Sequence, residues 1–364
     1  MADNRIYLAL GEEASRGVKE SATVGFIPLL SPGIPKFEFD DRHIKEFRGQ
    51  DSAKGDTTVR RMGRKWSGSI EMPFFTEAGG AWKGAIGCLM KHFFGRAVTA
   101  QNGTTGQYSH LLYPVADPFS ASNLGSKAVT LNLNINEGAL MRNWPFVGGR
   151  IKGLTFTQET GQHLKLGVDM MGQRRDDALA ETGSPVYAAE NLRCDYNNLK
   201  VYTGTITRTG TGPDFTQLSF GSAAQIKPDK ISVKFGNGMD DAVRLSGVDY
   251  PDRTRMGQFS VSVEMTIDWE DPSSGFSSVD DFNAWLAGAS STNFCLVWDT
   301  GTQAGTGENH ALIIDVPSTV RKGGEPSYSL EKDPMITLKY EGLYDAAVCK
   351  YIAGVMLKNT AATI

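Results

Sequence analysis

Residues able to do chemistry are scarce in this chain: five histidines and four cysteines among 364 residues. Cys88, Cys194, Cys295 and Cys349 stand far apart, with no CxxC pair and no companion histidine at metal-ligand spacing. That excludes a disulfide framework or a zinc ribbon and predicts buried reduced thiols, which go with a cytoplasmic origin. His43, His92, His110, His163 and His310 are scattered and read as structural imidazoles. No GxSxG elbow, Walker loop, HExxH or calcium-loop pattern occurs. Gly210-Thr211-Gly212 and Gly305-Thr306-Gly307 link no apolar strand to a helix and read as loop tips. Paired acids at Asp40-Asp41, Asp176-Asp177, Asp240-Asp241 and Asp280-Asp281 would point to opposite faces of a strand, whereas acid–base catalysis needs carboxyls facing across a cleft. The expectation is a protein that is not an enzyme and takes no cofactor.

Long apolar runs are missing as well. The longest near the end, Ala346 to Leu357, is broken by Lys350 and is too short to cross a bilayer. Met1-Ala2-Asp3-Asn4-Arg5 carries no apolar secretion core. A soluble protein with no membrane partner is expected. With 40% hydrophobic and 21% charged residues, the chain has ordinary globular composition and enough length for two cores.

What the chain does contain is an internal echo. Arg61-Met62-Gly63 leads into Ser67-Gly68-Ser69-Ile70-Glu71-Met72, and Arg255-Met256-Gly257 leads into Ser260-Val261-Ser262-Val263-Glu264-Met265. The offset is 194 from residue 61 to 255 and 193 from residue 67 to 260. Flanking landmarks follow in the same order. Asp40-Asp41, Gly49 and Asp51 are answered by Asp240-Asp241, Gly247 and Asp249. A helical stripe of Trp82, Ile86, Leu89 and Phe93 ending at Gly95 is answered by Val279, Phe282, Trp285 and Leu286 ending at Gly288. Gly148-Gly149 is matched with Gly323-Gly324. A duplicated architecture follows, with the first repeat and its N-terminal arm in 1–180 and the second in 181–364.

Within each repeat the pattern is mainly β. Val129, Leu131, Leu133 and Ile135 alternate with Thr130, Asn132, Asn134 and Asn136, which predicts a strand with one dry and one wet side. Trp66, Gly68, Ile70 and Met72 alternate with serines and Glu71, as do Phe259, Val261, Val263 and Met265 with Ser260, Ser262 and Glu264. Glu159-Thr160-Gly161-Gln162 reads as a hairpin turn. One short helix per repeat is expected to cover a sheet face, the second with Ser278 and Asp281 as a capping box and Gly288 as its left-handed stop. Residues 176–228 read as turn-rich connection, with a strand near Tyr202 to Thr207.

Charge is uneven. Residues 1–180 carry 22 Lys and Arg against 18 Asp and Glu, a balance of +4, while the rest carry 15 against 23, a balance of −8. Opposite potentials would favour the first repeat of one subunit abutting the second repeat of its neighbour. A basic stretch from residue 42 to 65 stands out, but nearby aromatics are few and the half is near neutral. Subunit contacts through a long polar loop explain it better than nucleic-acid binding does.

Two β repeats of this order resemble the tail tube (major tail) proteins of long-tailed, non-contractile bacteriophages. Leu10-Gly11-Glu12-Glu13 followed by Phe26-Ile27-Pro28-Leu29 resembles their N-terminal arm, and Phe47-Arg48-Gly49 resembles the segment that follows. The resemblance implies tandem antiparallel β-sandwich or barrel repeats, each with a short helix, that self-assemble into stacked rings forming a hollow tube. It implies three subunits per ring with pseudo-sixfold symmetry, alternatively six. Ring stacking would fall to loops holding Arg42, Lys45, Arg48, Lys54 and Arg60 in the first repeat and Arg244, Asp249 and Arg253 in the second. Further implied partners are a tape-measure protein, tail-end proteins, and viral DNA passing without sequence-specific binding through an acidic or neutral lumen. The place implied is a virion tail assembled in the host bacterial cytoplasm. A carbohydrate-binding or adhesin-type β-sandwich is the alternative that the same composition leaves open.

Overall fold

The period-two segments become strands, and their apolar sides meet in one core. The computed structural model describes residues 6–21, 23–30, 33–44, 58–76, 84–102, 106–119, 123, 127–137, 140–177, 179–180, 183–244, 247–288, 291–328 and 333–363. The chain enters through β1 (Ile6–Glu12) and β2 (Gly25–Ile27), then β3 (Lys36–Ile44) and the long β4 (Thr58–Pro73). Helix α1 (Ala85–Phe94) leads into a hairpin of β5 (Gly95–Gln101) and β6 (Tyr108–Pro114). β7 (Val129–Asn136) turns into β8 (Met141–Glu159), and β9 (Lys165–Gly172), β10 (Arg174–Arg175) and β11 (Leu179–Ala180) follow. The second half opens with β12 (Leu199–Thr203), a hairpin of β13 (Thr207–Thr211) and β14 (Asp214–Ser219), β15 (Ala224–Ile226) and β16 (Lys230–Gly236). After β17 (Asp240–Ala242) and β18 (Arg253–Arg255) come β19 (Ser260–Asp268) and helix α2 (Ser278–Leu286). β20 (Ser291–Gly305), β21 (Glu308–Gly323), β22 (Pro326–Ser327), β23 (Met335–Gly342) and β24 (Gly354–Asn359) complete the chain.

All pairings are antiparallel. Neighbouring strands in the first half run β2–β1–β7–β8–β9–β4–β3. Those in the second run β15–β12–β20–β21–β23–β19–β16, the same order of roles. The two series join through β8, whose Gly153–Glu159 stretch pairs with β16 over Lys230–Gly236. One apolar cluster accordingly draws on both halves, from Leu8, Trp66, Phe93 and Phe156 to Phe235, Val263, Trp298 and Leu338. Phe235 sits at its centre, with ring centroids 5.6–6.4 Å from Phe93, Phe94, Phe156 and Phe259. Trp66 lies beside Gly172, where a Cβ would come within 2.2 Å of the indole, so no larger residue fits there.

Several local expectations hold. Trp66, Ile70 and Met72 are buried, as are Val261, Val263 and Met265. β8 and β9 form a hairpin through Gly161, which has φ 80°. All four cysteines are buried and unbridged. Gly95 ends α1 in the left-handed region with φ 85°, and Gly288 has φ 80° after α2.

Others need correction. The side of β7 expected to be wet is buried: Thr130, Asn132 and Asn134 are at most 1% exposed. The segment after β1 lies across them, with the Glu20 N–H donating to Thr130 Oγ1 (3.1 Å) and Asn132 Nδ2 donating to the Glu20 carbonyl (3.4 Å). Alternation reported the two faces and not what would cover them. The N-cap of α2 is Ser277, which accepts from the Asp280 N–H at 3.0 Å, while Ser278 turns back to the Glu270 N–H and the Asp268 carbonyl. The pairing of Gly148-Gly149 with Gly323-Gly324 does not survive the register. Glu71 faces Gly167 and Glu264 faces Lys339, so the partner of Lys339, Gly323, matches the partner of Gly167, Thr155. Residues 176–228 hold β12 to β15, and Thr207–Thr211, read as a loop, is a hairpin strand.

Candidate channel and assembly surfaces

The central run β4–β9–β8–β16–β19–β23 buries one face and leaves the other open. Ile70, Val168, Leu154, Val233, Val263 and Tyr340 point into the core. The alternate positions place Ser69, Thr155, Ser232 and Ser262 on the open side, together with charges of both signs. Lysines there (Lys65, Lys152, Lys165, Lys230, Lys234, Lys339, with Lys322 of the adjoining β21) meet carboxylates (Glu71, Glu159, Asp169, Glu264, Asp268, Glu341). Cross-strand pairs join Lys165 to Glu71 (3.7 Å), Lys339 to Glu264 (3.8 Å) and Lys322 to Glu341 (2.8 Å), and Lys230 also bridges to Glu159. Exposed pairs of this kind add little to stability. Their larger effect is to leave a broad polar face almost neutral.

The loop residues singled out from sequence divide into three groups. Arg42 and Arg60 face each other across the β3–β4 ladder. Lys45, Arg48 and Lys54 lie outside the described residues. Arg244 and Asp249 lie in the loop that links β17 to β18, where Arg244 binds Asp252 at 2.9 Å, and the exposed Arg253 opens β18. Asp249 reaches the first arm: its carboxylate accepts from Arg64 Nε at 3.1 Å and its carbonyl from the Arg64 N–H at 2.7 Å. The two arms, 185 residues apart in sequence, thus lie side by side.

Sequence reasoning missed how the N-terminal segment is locked. Arg16 binds Asp241 at 2.7 Å and donates to Thr254 Oγ1 at 2.6 Å, tying the first half to the second arm. Glu13 is wholly buried and accepts from Thr130 Oγ1 (2.8 Å) and from the N–H groups of Gly148 and Gly17 (2.7 Å each). Burial pushes the Glu13 carboxyl up, against those three donors.

A neighbouring knot corrects the reading that no cysteine has a histidine at ligand spacing. Cys88 and His92 are one helical turn apart on α1, and with Glu12 of β1 their ligand atoms lie within 4.8 Å of one another. His92 Nε2 meets Glu12 Oε1 at 3.1 Å, and Lys91 (3.9 Å) and Lys127 (3.7 Å) flank the same carboxylate. The His92 hydrogen bond and the two ammonium groups hold Glu12 down at about 2. Burial pulls His92 below its ordinary value, so it donates as a neutral imidazole. Two lysines already balance this carboxylate and their field opposes a cation, so the knot reads as a tie between β1 and α1.

A broad, charge-balanced sheet face, paired polar arms and, among the described residues, strand edges at both ends mark a mainly antiparallel β protein. A family model described as phage tail tube protein matches residues 3–342, and the chain belongs to that family. It is a structural component of a phage tail, as the resemblance implies. No curated protein matches it.

Proposed function

We propose that this chain builds the hollow tail tube from rings of three copies, each copy contributing two tail-tube-like repeats (1–180 and 181–364) to a pseudo-sixfold ring. The observation that carries this reading is the β8–β16 joint. It welds β3–β4–β9–β8 to β16–β19–β23–β21 as one antiparallel run of eight strands within a single chain.

By the shared strand order, β21 corresponds to β8, and Lys36 corresponds to Gly236, since they face Ser67 and Ser260. The stretch of β21 from Arg321 onward, with β22, has β23 as its one strand neighbour among the described residues, and β3 has β4. A second copy that set its residues 33–36, the counterparts of 233–236, beside this stretch would repeat part of the β8–β16 joint and leave 37–44 to the arm, as 237–244 are. Head-to-tail repetition of one such contact closes a ring and satisfies both edges. Three copies of eight strands would surround the lumen with twenty-four.

The open polar face then lines the channel. Its near-neutral charge suits a conduit, because Lys and Arg contacts to phosphate dominate DNA affinity. The arms that carry Arg42, Arg60, Arg244, Asp249 and Arg253 are assigned to ring stacking, and tape-measure and tail-end proteins to the tube's interior and ends. Assembly belongs in the host cytoplasm. Electron microscopy of the purified chain at high concentration tests this: hollow tubes whose rings contain three copies are expected. Six copies per ring would overturn the pseudo-sixfold arrangement, and a persistent monomer would overturn assembly itself.

A further inference from the structure

Helices α1 and α2 occupy matching places in the strand order but have opposite surroundings. An offset of 193 relates Ile86 to Val279, Leu89 to Phe282, Phe93 to Leu286 and Gly95 to Gly288. α1 is buried over nine of its ten residues. Phe93, 1% exposed, lies against Phe235 (6.4 Å between ring centroids) and Phe259 (5.5 Å), both from the other half of the chain. α2 buries only Ser278. Leu286, the counterpart of Phe93, is 65% exposed.

The inner side of α2 is nonetheless fixed. Arg321 binds Asp281 and lies 5.3 Å from the Phe282 ring and 5.2 Å from the Trp285 ring, and Tyr340 donates to Asp281 at 2.6 Å. The helix is held rigidly with its last turn presented outward. Rigid apolar presentation lowers the entropic cost of docking.

We propose that the last turn of α2, centred on Leu286, docks onto the first repeat of a second copy of this chain, as α1 docks onto the second repeat within one copy. The inference rests on the ring assembly above and names the contact that closes it. The receiving surface follows from register. Phe235 faces Val261 of β19, and the matching residue of β4 is Gly68, over which Pro35 passes: a Cβ on Gly68 would sit 2.8 Å from Pro35 Cα. The strip around Pro35 therefore stands where Phe235 stands. It continues into Phe37 and Phe39, whose rings meet edge-on at 4.7 Å, and Phe39 is 42% exposed.

Charge favours the same partner. α2 carries exposed Asp280 in its first turn and no basic residue in its last, Asp281 being taken up by Arg321 and Tyr340, whereas exposed Lys36 stands beside the receiving strip, where Lys65 is paired with Glu38 at 3.7 Å. The −8 and +4 balances of the two halves act in the same sense over longer range.

The test compares wild type, Leu286→Glu and Leu140→Glu, the last being an equally exposed leucine (63%) outside the proposed contact. Sedimentation velocity over a concentration series gives the concentration at which rings form. Leu286→Glu is expected to raise it at least about tenfold, equivalent to roughly 1.4 kcal/mol, with circular dichroism and thermal midpoint unchanged, and Leu140→Glu to leave it alone. If Leu286→Glu lowers the midpoint, Leu286→Ser carries the same comparison. Rings forming from the Leu286 variants at the wild-type concentration would overturn the α2 contact and leave the tube reading standing. Wild-type chains that never form rings would overturn both.

Discussion

At the scale of single residues, the buried ionisable groups set the response to pH. His92 has a folded value below its ordinary 6.5, so the fold favours its neutral form. That contribution is present above pH 6.5 and is lost as acid protonates the imidazole of the unfolded chain and then of the folded one. Glu12, held at about 2 against 4.5, adds a second loss between those values. Glu13 is shifted up and acts in the opposite sense, losing its contribution as pH rises through its folded value. The thermal midpoint is expected to fall between pH 7.5 and 5.5 in wild type and to fall less steeply in His92→Gln, which keeps a donor for Glu12, while His110, His163 and His310, also held below their ordinary value by burial, keep the rest of the slope. Differential scanning calorimetry across that range decides it, and equal slopes would remove His92 from the account. Little of this was visible in sequence. Glu13 and Asn132 are ordinary surface letters until the segment after β1 crosses them.

Among the elements, β16 has the heaviest duty, because it is central in the sheet and joins two series of strands. Ser232 faces Glu264 on one side and Thr157 on the other. Ser232→Pro removes a ladder donor from a strand with neighbours on both sides and leaves a carbonyl unmet, a loss of at least about 2 kcal/mol. Because one apolar cluster spans both halves, unfolding of wild type should be a single cooperative transition. Ser232→Pro is expected to lower its midpoint or split it in two, as followed by urea titration with tryptophan fluorescence. A midpoint unchanged from wild type would show that the joint contributes little. The two helices mark where legibility ended: their stripes look alike, but α1 is enclosed by Phe235 and Phe259 while α2 meets solvent.

For the whole molecule, the proposed channel turns on what the nearly neutral sheet face would do to DNA passing it. Glu71→Lys with Glu264→Lys converts two cross-strand attractions into repulsions and moves the balance of that face by four charges per chain. Tubes of the double variant are expected to retain double-stranded DNA at low salt and release it steeply as salt rises, while wild-type tubes retain none. Filter retention over a salt series measures this. Equal behaviour of the two would place that face outside the channel.

The period-two runs at 66–72, 129–136 and 259–265 settled which segments are strands and which side of most of them is dry, because alternation is a property of neighbours in sequence. Glycine at 95, 161 and 288 settled where helices and a hairpin turn, because left-handed backbone is a local demand. The tertiary structure alone decided that β8 joins β16, that the asparagines of β7 lie under the N-terminal segment, and that Asp249 reaches Arg64. Those contacts join residues 70 or more positions apart, and no local pattern encodes which distant surface will arrive to cover a face.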